Sequence, residues 1–369
     1  MRKIKLFVDA HVFDGIPQGT VTYLSGIYSE LIKDERFQLY VGSNEKDKAE
    51  DYLNNQNFLH IKYNTDSKYK RLLYSIPKIL KDNDIDVAHF QYIAPIQKQC
   101  KYIVTIHDLL FLEFPEYFPM RYRLQNSIFF FLSGKRADIV TTVSEHSKES
   151  IQRFFKIPLS DIIITPDAVD RTQTKPKPIK QLNNKKFILY VSRIEPRKNQ
   201  SLLIKIWKEL ELHKQNIQLV LVGAEGVIDQ QFDHQIQEMS SDEKRNFYWL
   251  QNISKANLIW LYQNCTLFVF PSLAEGFGIP PLEAAVNGAK VLCSNTTAMK
   301  EYNFFKNFQF NPNNHDEFKQ SLLFGLKNEF NHDYVKASIN LKYNWSKIAL
   351  NFGDIIAQQF KCGHEEKSS

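Results

Sequence analysis

Two glutamates, Glu275 and Glu283, flank a glycine-bearing loop in the run Pro271-Ser-Leu-Ala-Glu275-Gly276-Phe277-Gly278-Ile-Pro-Pro-Leu282-Glu283. The run follows an apolar stretch, Leu267 to Phe270, that reads as a strand, and Pro280 or Pro281 suits the first position of a helix. Gly276 and Gly278 let the main chain approach a ligand closely. A helix start there would offer free N–H groups and the positive end of its dipole to an anion such as a diphosphate. The two carboxylates stand on either side of that anion site. An isolated Glu-Gly-x-Gly is more often an ordinary capped turn, so the reading depends on its surroundings. Upstream, Tyr190-Val-Ser-Arg193-Ile-Glu-Pro-Arg-Lys198-Asn199 ends another strand, and a pair of cations, Arg193 and Lys198, on such a loop can converge on one diphosphate. They would neutralise its charge. In Thr105-Ile-His107-Asp108, His107 ends a buried strand, where its imidazole can donate to a ligand hydroxyl while Asp108 fixes its tautomer or caps the next helix.

The whole glutamate string resembles the E-x7-E signature of retaining glycosyltransferases with the GT-B architecture, the large family called group 1 or family 4. The resemblance continues in Asn252-Ile253-Ser, similar to the family's nucleobase loop, in Ser294-Asn-Thr-Thr-Ala-Met-Lys-Glu301, and in Ala137-Asp-Ile-Val-Thr-Thr-Val-Ser144. It implies an α/β protein of two Rossmann-like doubly wound domains facing each other across a cleft. It also implies transfer of a hexose-type sugar, with retention, from a nucleoside-diphosphate sugar to a glycan or glycolipid acceptor, as in bacterial surface polysaccharide assembly. By the same resemblance Arg193 and Lys198 clamp the diphosphate, Glu275 holds the donor sugar, Glu283 holds the ribose, and His107 joins Glu275, Arg193 and Lys198 in catalysis. Gly19, Ile253, Gly276, Phe277, Gly278 and Leu282 complete the donor site. The chain departs from the family at Ser192, where glycine is common, and in Gly15-Ile-Pro-Gln-Gly19-Thr20, which lacks the usual double glycine. A further departure is Pro166-Asp167-Ala168, where many members have Pro-Asn-Gly. Two other functions fit the same architecture: a sugar-nucleotide epimerase and a non-catalytic partner of another transferase.

No catalytic metal and no other cofactor is expected. The D-x-D of Asp82-Asn-Asp84, a metal-binding signature in the other great glycosyltransferase architecture, precedes a strand instead of ending one and reads as a solvated turn. The four cysteines are scattered without metal-ligand or redox spacing, which suits a reducing cytoplasm. A net charge of +6 fits anionic lipid, nucleic acid or a phosphorylated substrate and selects none, although the absence of a basic block argues against nucleic acid. No stretch approaches the ~18 apolar residues of a membrane span. Two runs mix basic and apolar residues as interfacial helices do, Lys68 to Lys81 and Met120 to Leu132, so peripheral contact with the inner face of a membrane is open, beside plain core packing.

The elements that must position these residues alternate in the βα pattern of parallel sheets. Expected strands are Lys5 to Val8, Gln38 to Val41, Asp86 to Phe90, Tyr102 to Ile106, Ile139 to Val143 and Ile162 to Ile164, then Phe187 to Val191, Gln218 to Val222, Phe247 to Leu250, Leu267 to Phe270, Lys290 to Cys293 and Phe308 to Phe310. Between the two series, residues 171–186 are rich in Pro, Lys and Asn and have no acidic side chain, a linker composition. The chain thus divides into an acceptor-side domain at 1–170, a linker, and a nucleotide-sugar domain at 187–344. A helix from about Trp345 to Phe360, able to pack back on the first domain, precedes a tail expected to fray from Cys362.

Overall fold

The computed structural model describes residues 2–15, 19–169 and 174–365. The chain forms two compact units, 1–168 with 343–369, and 169–342.

The first unit is built on a seven-stranded parallel sheet: β1 Ile4–Asp9, β2 Phe37–Ser43, β3 Leu59–Lys62, β4 Val87–Gln91, β5 Lys101–Thr105, β6 Ile139–Thr142 and β7 Ile162–Ile164, in the order β3-β2-β1-β4-β5-β6-β7. The second is a six-stranded parallel sheet: β8 Lys186–Val191, β9 Ile217–Val222, β10 Phe247–Leu250, β11 Leu267–Phe270, β12 Val291–Ser294 and β13 Gln309–Phe310, in the order β10-β9-β8-β11-β12-β13. Both are doubly wound α/β sheets, as the βα alternation predicts. Strand order reverses between β1 and β4 and between β8 and β11, and such sheets take ligands at the carboxyl ends of the strands flanking the reversal. Strands covered on both faces read as unbroken apolar runs, and Leu219-Val-Leu and Leu267-Phe-Val-Phe270 are buried throughout.

One strand was not expected. β3 is a four-residue edge strand with no buried residue, pairing only with β2, so its Leu-His-Ile-Lys carries no apolar run to betray it.

The last helix runs Trp345–Glu365, so residues 362–365 are helical where fraying was expected; residues 366–369 lie outside the described set. It packs in the first unit against the helix Gly19–Leu31. Gly26 is required there, since a Cβ at that position would lie 2.2 Å from the Trp345 ring. Phe352 packs tilted against the buried His89 with ring centroids 5.2 Å apart, and Arg36 pairs with Asp354 at 2.6 Å. Among the described residues no helix is long and apolar enough to cross a membrane.

Candidate active site

The β8 and β11 strands are neighbours, pairing at Leu267 with Ile188 and Phe268 with Leu189, so the loops leaving their carboxyl ends emerge side by side at the reversal of the second sheet. The first loop carries Arg193, Glu195, Arg197 and Lys198; the second carries Glu275. Main-chain bonds join them: Leu273 N–H donates to the Arg197 carbonyl at 2.8 Å. Side chains continue the join as an alternating chain of charge. Lys198 Nζ meets Glu275 Oε1 at 2.5 Å, Arg197 meets Glu275 Oε2 at 3.3 Å and Glu195 Oε2 at 3.0 Å, and Arg193 meets Glu195 Oε1 at 3.0 Å. Three cations and two carboxylates leave this cluster one positive charge in excess.

Glu275 and Lys198 are buried, whereas the Arg193 side chain is 58% exposed. Burial would raise the Glu275 carboxyl, but Lys198 and Arg197 outweigh it and hold the group below its ordinary range. Lys198 is pulled down by burial, with the Glu275 carboxylate opposing. Ser272 Oγ donates to Glu275 Oε1 at 2.7 Å, and Glu275 N–H donates to Thr297 Oγ1 at 2.9 Å, which fixes both ends of the residue. Gln200 holds the other loop, donating to the Arg193 carbonyl at 2.7 Å and to the Tyr190 hydroxyl at 3.0 Å. Arg193 and Lys198, the pair expected to converge on one diphosphate, sit in different ion pairs linked through Glu195 and Arg197. Those two linkers escape a reading of the sequence because a carboxylate and a second arginine in a basic loop look like solvated surface.

Downstream of Glu275 the loop ends on Gly278 at φ +95°, a left-handed conformation in which a Cβ would also press within 3.0 Å of Met299. Gly276 is not among the residues of positive φ. Gly278 precedes the helix Ile279–Val286, so Pro280 occupies its second position. Tyr302 donates to the Phe277 carbonyl at 2.7 Å and packs its ring edge-on against Phe277, while Leu282 is fully buried. Glu283 lies in the second turn of this helix and not the first, partly buried, with the Tyr262 hydroxyl at 3.4 Å from Oε2; burial raises its carboxyl above the ordinary range. Ile253 lies half-buried in the β10 loop, after Asn252 at φ +52°.

His107 belongs to the first unit, just beyond β5. Its Nε2 lies 2.6 Å from Gln91 Oε1, and the Gln91 amide donates to His89 Nε2 at 3.1 Å. That network makes Nε2 the protonated nitrogen of a neutral ring, its N–H taken by Gln91, and leaves Nδ1 as an acceptor. Burial lowers the imidazole to about 3. Gln91, the last residue of β4, thus sets the tautomer in place of Asp108, whose Oδ1 instead caps Leu110 N–H at 3.1 Å. Asp167 is buried with Oδ1 lacking a partner, and desolvation pushes its carboxyl up to about 8. Gly19 begins the helix Gly19–Leu31; Ile16, Pro17 and Gln18 of its loop, and Asp170, lie outside the described residues. Asp82 of the D-x-D pairs with Lys78 at 2.5 Å, and among the described residues no three His, Cys, Asp or Glu are grouped to hold a metal.

Two family models match: Glycosyl transferases group 1 over residues 171–342 and Glycosyltransferase Family 4 over residues 18–173. The chain belongs to the group 1 glycosyltransferases. Its fold is that of the GT-B enzymes. O-antigen chain mannosyltransferase B of Escherichia coli is 30% identical over 70% of this chain and 66% of its own length. Serotype-specific mannosyltransferase WbdA of Escherichia coli is 29% identical over 58% of this chain, which spans only 28% of that relative. Among solved structures, Anabaena Alr3699/HepE in complex with UDP and glucose superposes with a TM-score of 0.72 over 97% of this chain and 100% of that one, at 17% identity.

Proposed function

We propose that this glycosyltransferase moves a hexose from a nucleoside-diphosphate donor held by the second unit to a glycan or lipid-linked acceptor taken by the first, with retention, in surface polysaccharide assembly. The observation that carries the reading is the Arg193–Glu195–Arg197–Glu275–Lys198 cluster at the carboxyl ends of β8 and β11. It is cationic, prebuilt, and exposed at its Arg193 end, where a diphosphate can replace Glu195 as the partner of the guanidinium. Stabilising the leaving diphosphate by such preorganised charge acts on the transition state more than on the bound donor. Glu275, locked in place as an ionised group, faces charge that develops on the sugar. The names of the relatives make mannose the first hexose to test.

A thermal-shift panel of UDP-, GDP-, ADP- and dTDP-sugars identifies the donor, because a ligand at ~100 times its Kd adds about 2.7 kcal/mol of stability. One nucleotide class should raise the melting temperature, and no shift with any of them would refute the reading. Transfer should persist in excess EDTA, since three side-chain cations stand where a metal would otherwise neutralise the diphosphate; its abolition and rescue by a divalent ion would overturn that part. Donor incubated without acceptor should not isomerise, which separates this activity from an epimerase.

Glu283 is assigned to the ribose, where a carboxylate accepts two vicinal hydroxyls. Glu283→Ala should raise KM for the donor and weaken free nucleoside diphosphate binding, with kcat little changed, as loss of uniform binding requires. Because burial raises this carboxyl, nucleotide affinity in the wild type should fall as pH drops toward its pKa. Titration calorimetry across pH reads both effects, and unchanged affinity in the variant would remove Glu283 from the site.

A further inference from the structure

The helix Met120–Arg136 leaves an apolar stripe on its outer side. Leu124, Ile128 and Leu132, at one-turn spacing, are 62%, 60% and 40% exposed, while Asn126, Phe130, Ser133 and Gly134 face the interior. The inward Ser133 is satisfied: its Oγ donates to the Phe129 carbonyl at 2.7 Å and accepts from Ala94 N–H at 3.0 Å. The outward apolar stripe is left to solvent.

Beside it lies the helical run 68–82, broken by a π turn at Arg71–Ser75. Leu72 and Ile76 of that run share one buried core with Phe130 of the longer helix, and Gln125 donates to the Tyr69 hydroxyl at 2.9 Å. The two elements are therefore neighbours that meet at the surface through Tyr69 and Gln125, and the first also exposes Leu73 and Tyr74. Half of the exposed large hydrophobic side chains among the described residues, 9 of 18, lie in residues 68–81 and 120–136. Scattered exposed apolar groups are ordinary, but such concentration marks an interaction surface. The same residues hold 9 Lys and Arg and no Asp or Glu. Among the described residues the only ion pairs these cations make are Arg71 with Asp9 and Lys78 with Asp82.

An apolar stripe ringed by cations of which most lack a carboxylate has two complementary requirements, a partner that is greasy in the middle and anionic at the rim. We propose that this face of the first unit docks on the surface of an anionic lipid bilayer, with Leu124, Ile128 and Leu132 entering the acyl boundary and Lys68, Lys70 and Arg121 lying at the phosphates. Interfacial helices bind by apolar burial plus attraction to anionic headgroups, each basic side chain adding to the latter. The surface is remote in sequence from the clamp loops and stands whether or not the donor assignment holds.

The test is co-sedimentation of the full chain with vesicles of neutral phosphatidylcholine, alone or with about a third phosphatidylglycerol. Partitioning should be at least tenfold stronger on the anionic vesicles and should weaken as salt rises. L124E/I128E, both at exposed positions, should lose tenfold or more of that binding while its melting temperature and its transfer to a water-soluble acceptor stay those of the wild type. K68Q/K70Q/R121Q, which leaves the stripe intact, should abolish the preference for anionic lipid and tests the same face independently if the first variant folds poorly. Failure of the wild type to sediment with either vesicle, or equal binding by wild type and both variants, would overturn the proposal. So would concentration-dependent self-association of the wild type that L124E/I128E abolishes, since the stripe would then belong to a second copy of the chain.

Discussion

Replacing both Arg193 and Lys198 by alanine should cut turnover by several orders of magnitude, because each charge-assisted contact to a departing diphosphate contributes roughly 2 to 4 kcal/mol. The structure makes the two single variants distinguishable. Arg193 is mostly exposed and shares its carboxylate partner with Arg197, so Arg193→Ala removes a surface contact and leaves Glu195 paired. Its melting temperature should stay near wild type while transfer falls. Lys198 is buried on Glu275, so Lys198→Ala leaves that carboxylate with Arg197 and Ser272 alone. Breaking one side of a buried ion pair typically costs ~3–5 kcal/mol. That figure is an upper bound here, because the second cation remains. Lys198→Ala should therefore lower both melting temperature and rate. Initial rates at saturating donor beside thermal melts read the pattern; near-normal turnover in the double variant would dismiss the clamp.

The strands that carry the site were legible because both faces of a parallel sheet are covered and the chain must answer with unbroken apolar runs. β8 and β11 match their expected positions to within a residue, and the two clamp loops follow from them. β3 was hidden for the converse reason, having one hydrogen-bonded neighbour and no buried side chain. Within the site, residue types and loop positions were readable, but the partnerships were not. Gln91 precedes His107 by 16 residues and sits on a different strand, and only the β4–β5 pairing, with Gln91 opposite Thr105, brings the two together. Likewise Glu195 and Arg197 gain meaning from Glu275, which lies nearly eighty positions on and, through the adjacency of β8 and β11, reaches Arg197 directly and Glu195 by way of it. The direction of Leu124 and Ile128 was not readable either: a stripe at helical spacing is the same string whether it faces core or water.

Glu275 and Glu283 should separate cleanly in a variant pair, and the cluster geometry gives the sign of the difference. Glu275 places a negative charge between Lys198 and Arg197, two of the three cations of the cluster. Removing that charge with Glu275→Gln leaves Lys198 and Arg197 more attractive to phosphate, so free nucleoside-diphosphate affinity should be unchanged or tighter. Transfer should nonetheless fall by roughly 100-fold or more, because a fixed ionised carboxylate facing a developing cation acts on the transition state and its loss lowers kcat. The amide keeps the size of the side chain and can still accept from Ser272, and the main-chain bond to Thr297 is untouched, so the variant should fold. It does leave the buried Lys198 without its carboxylate and the part-buried Arg197 with Glu195 alone of its two, so its melting temperature should drop below wild type and recover when nucleoside diphosphate is added, by mass action on the folded state. In the wild type, Lys198 and Arg197 hold the Glu275 carboxyl below its ordinary range, so the rate should show no ionisation of this group near neutral pH. Calorimetry with free nucleotide and initial rates on Glu275→Gln and Glu283→Ala decide the matter. If Glu275→Gln loses nucleotide affinity as badly as Glu283→Ala, Glu275 is a ground-state binding residue and the division of roles between the two carboxylates is wrong.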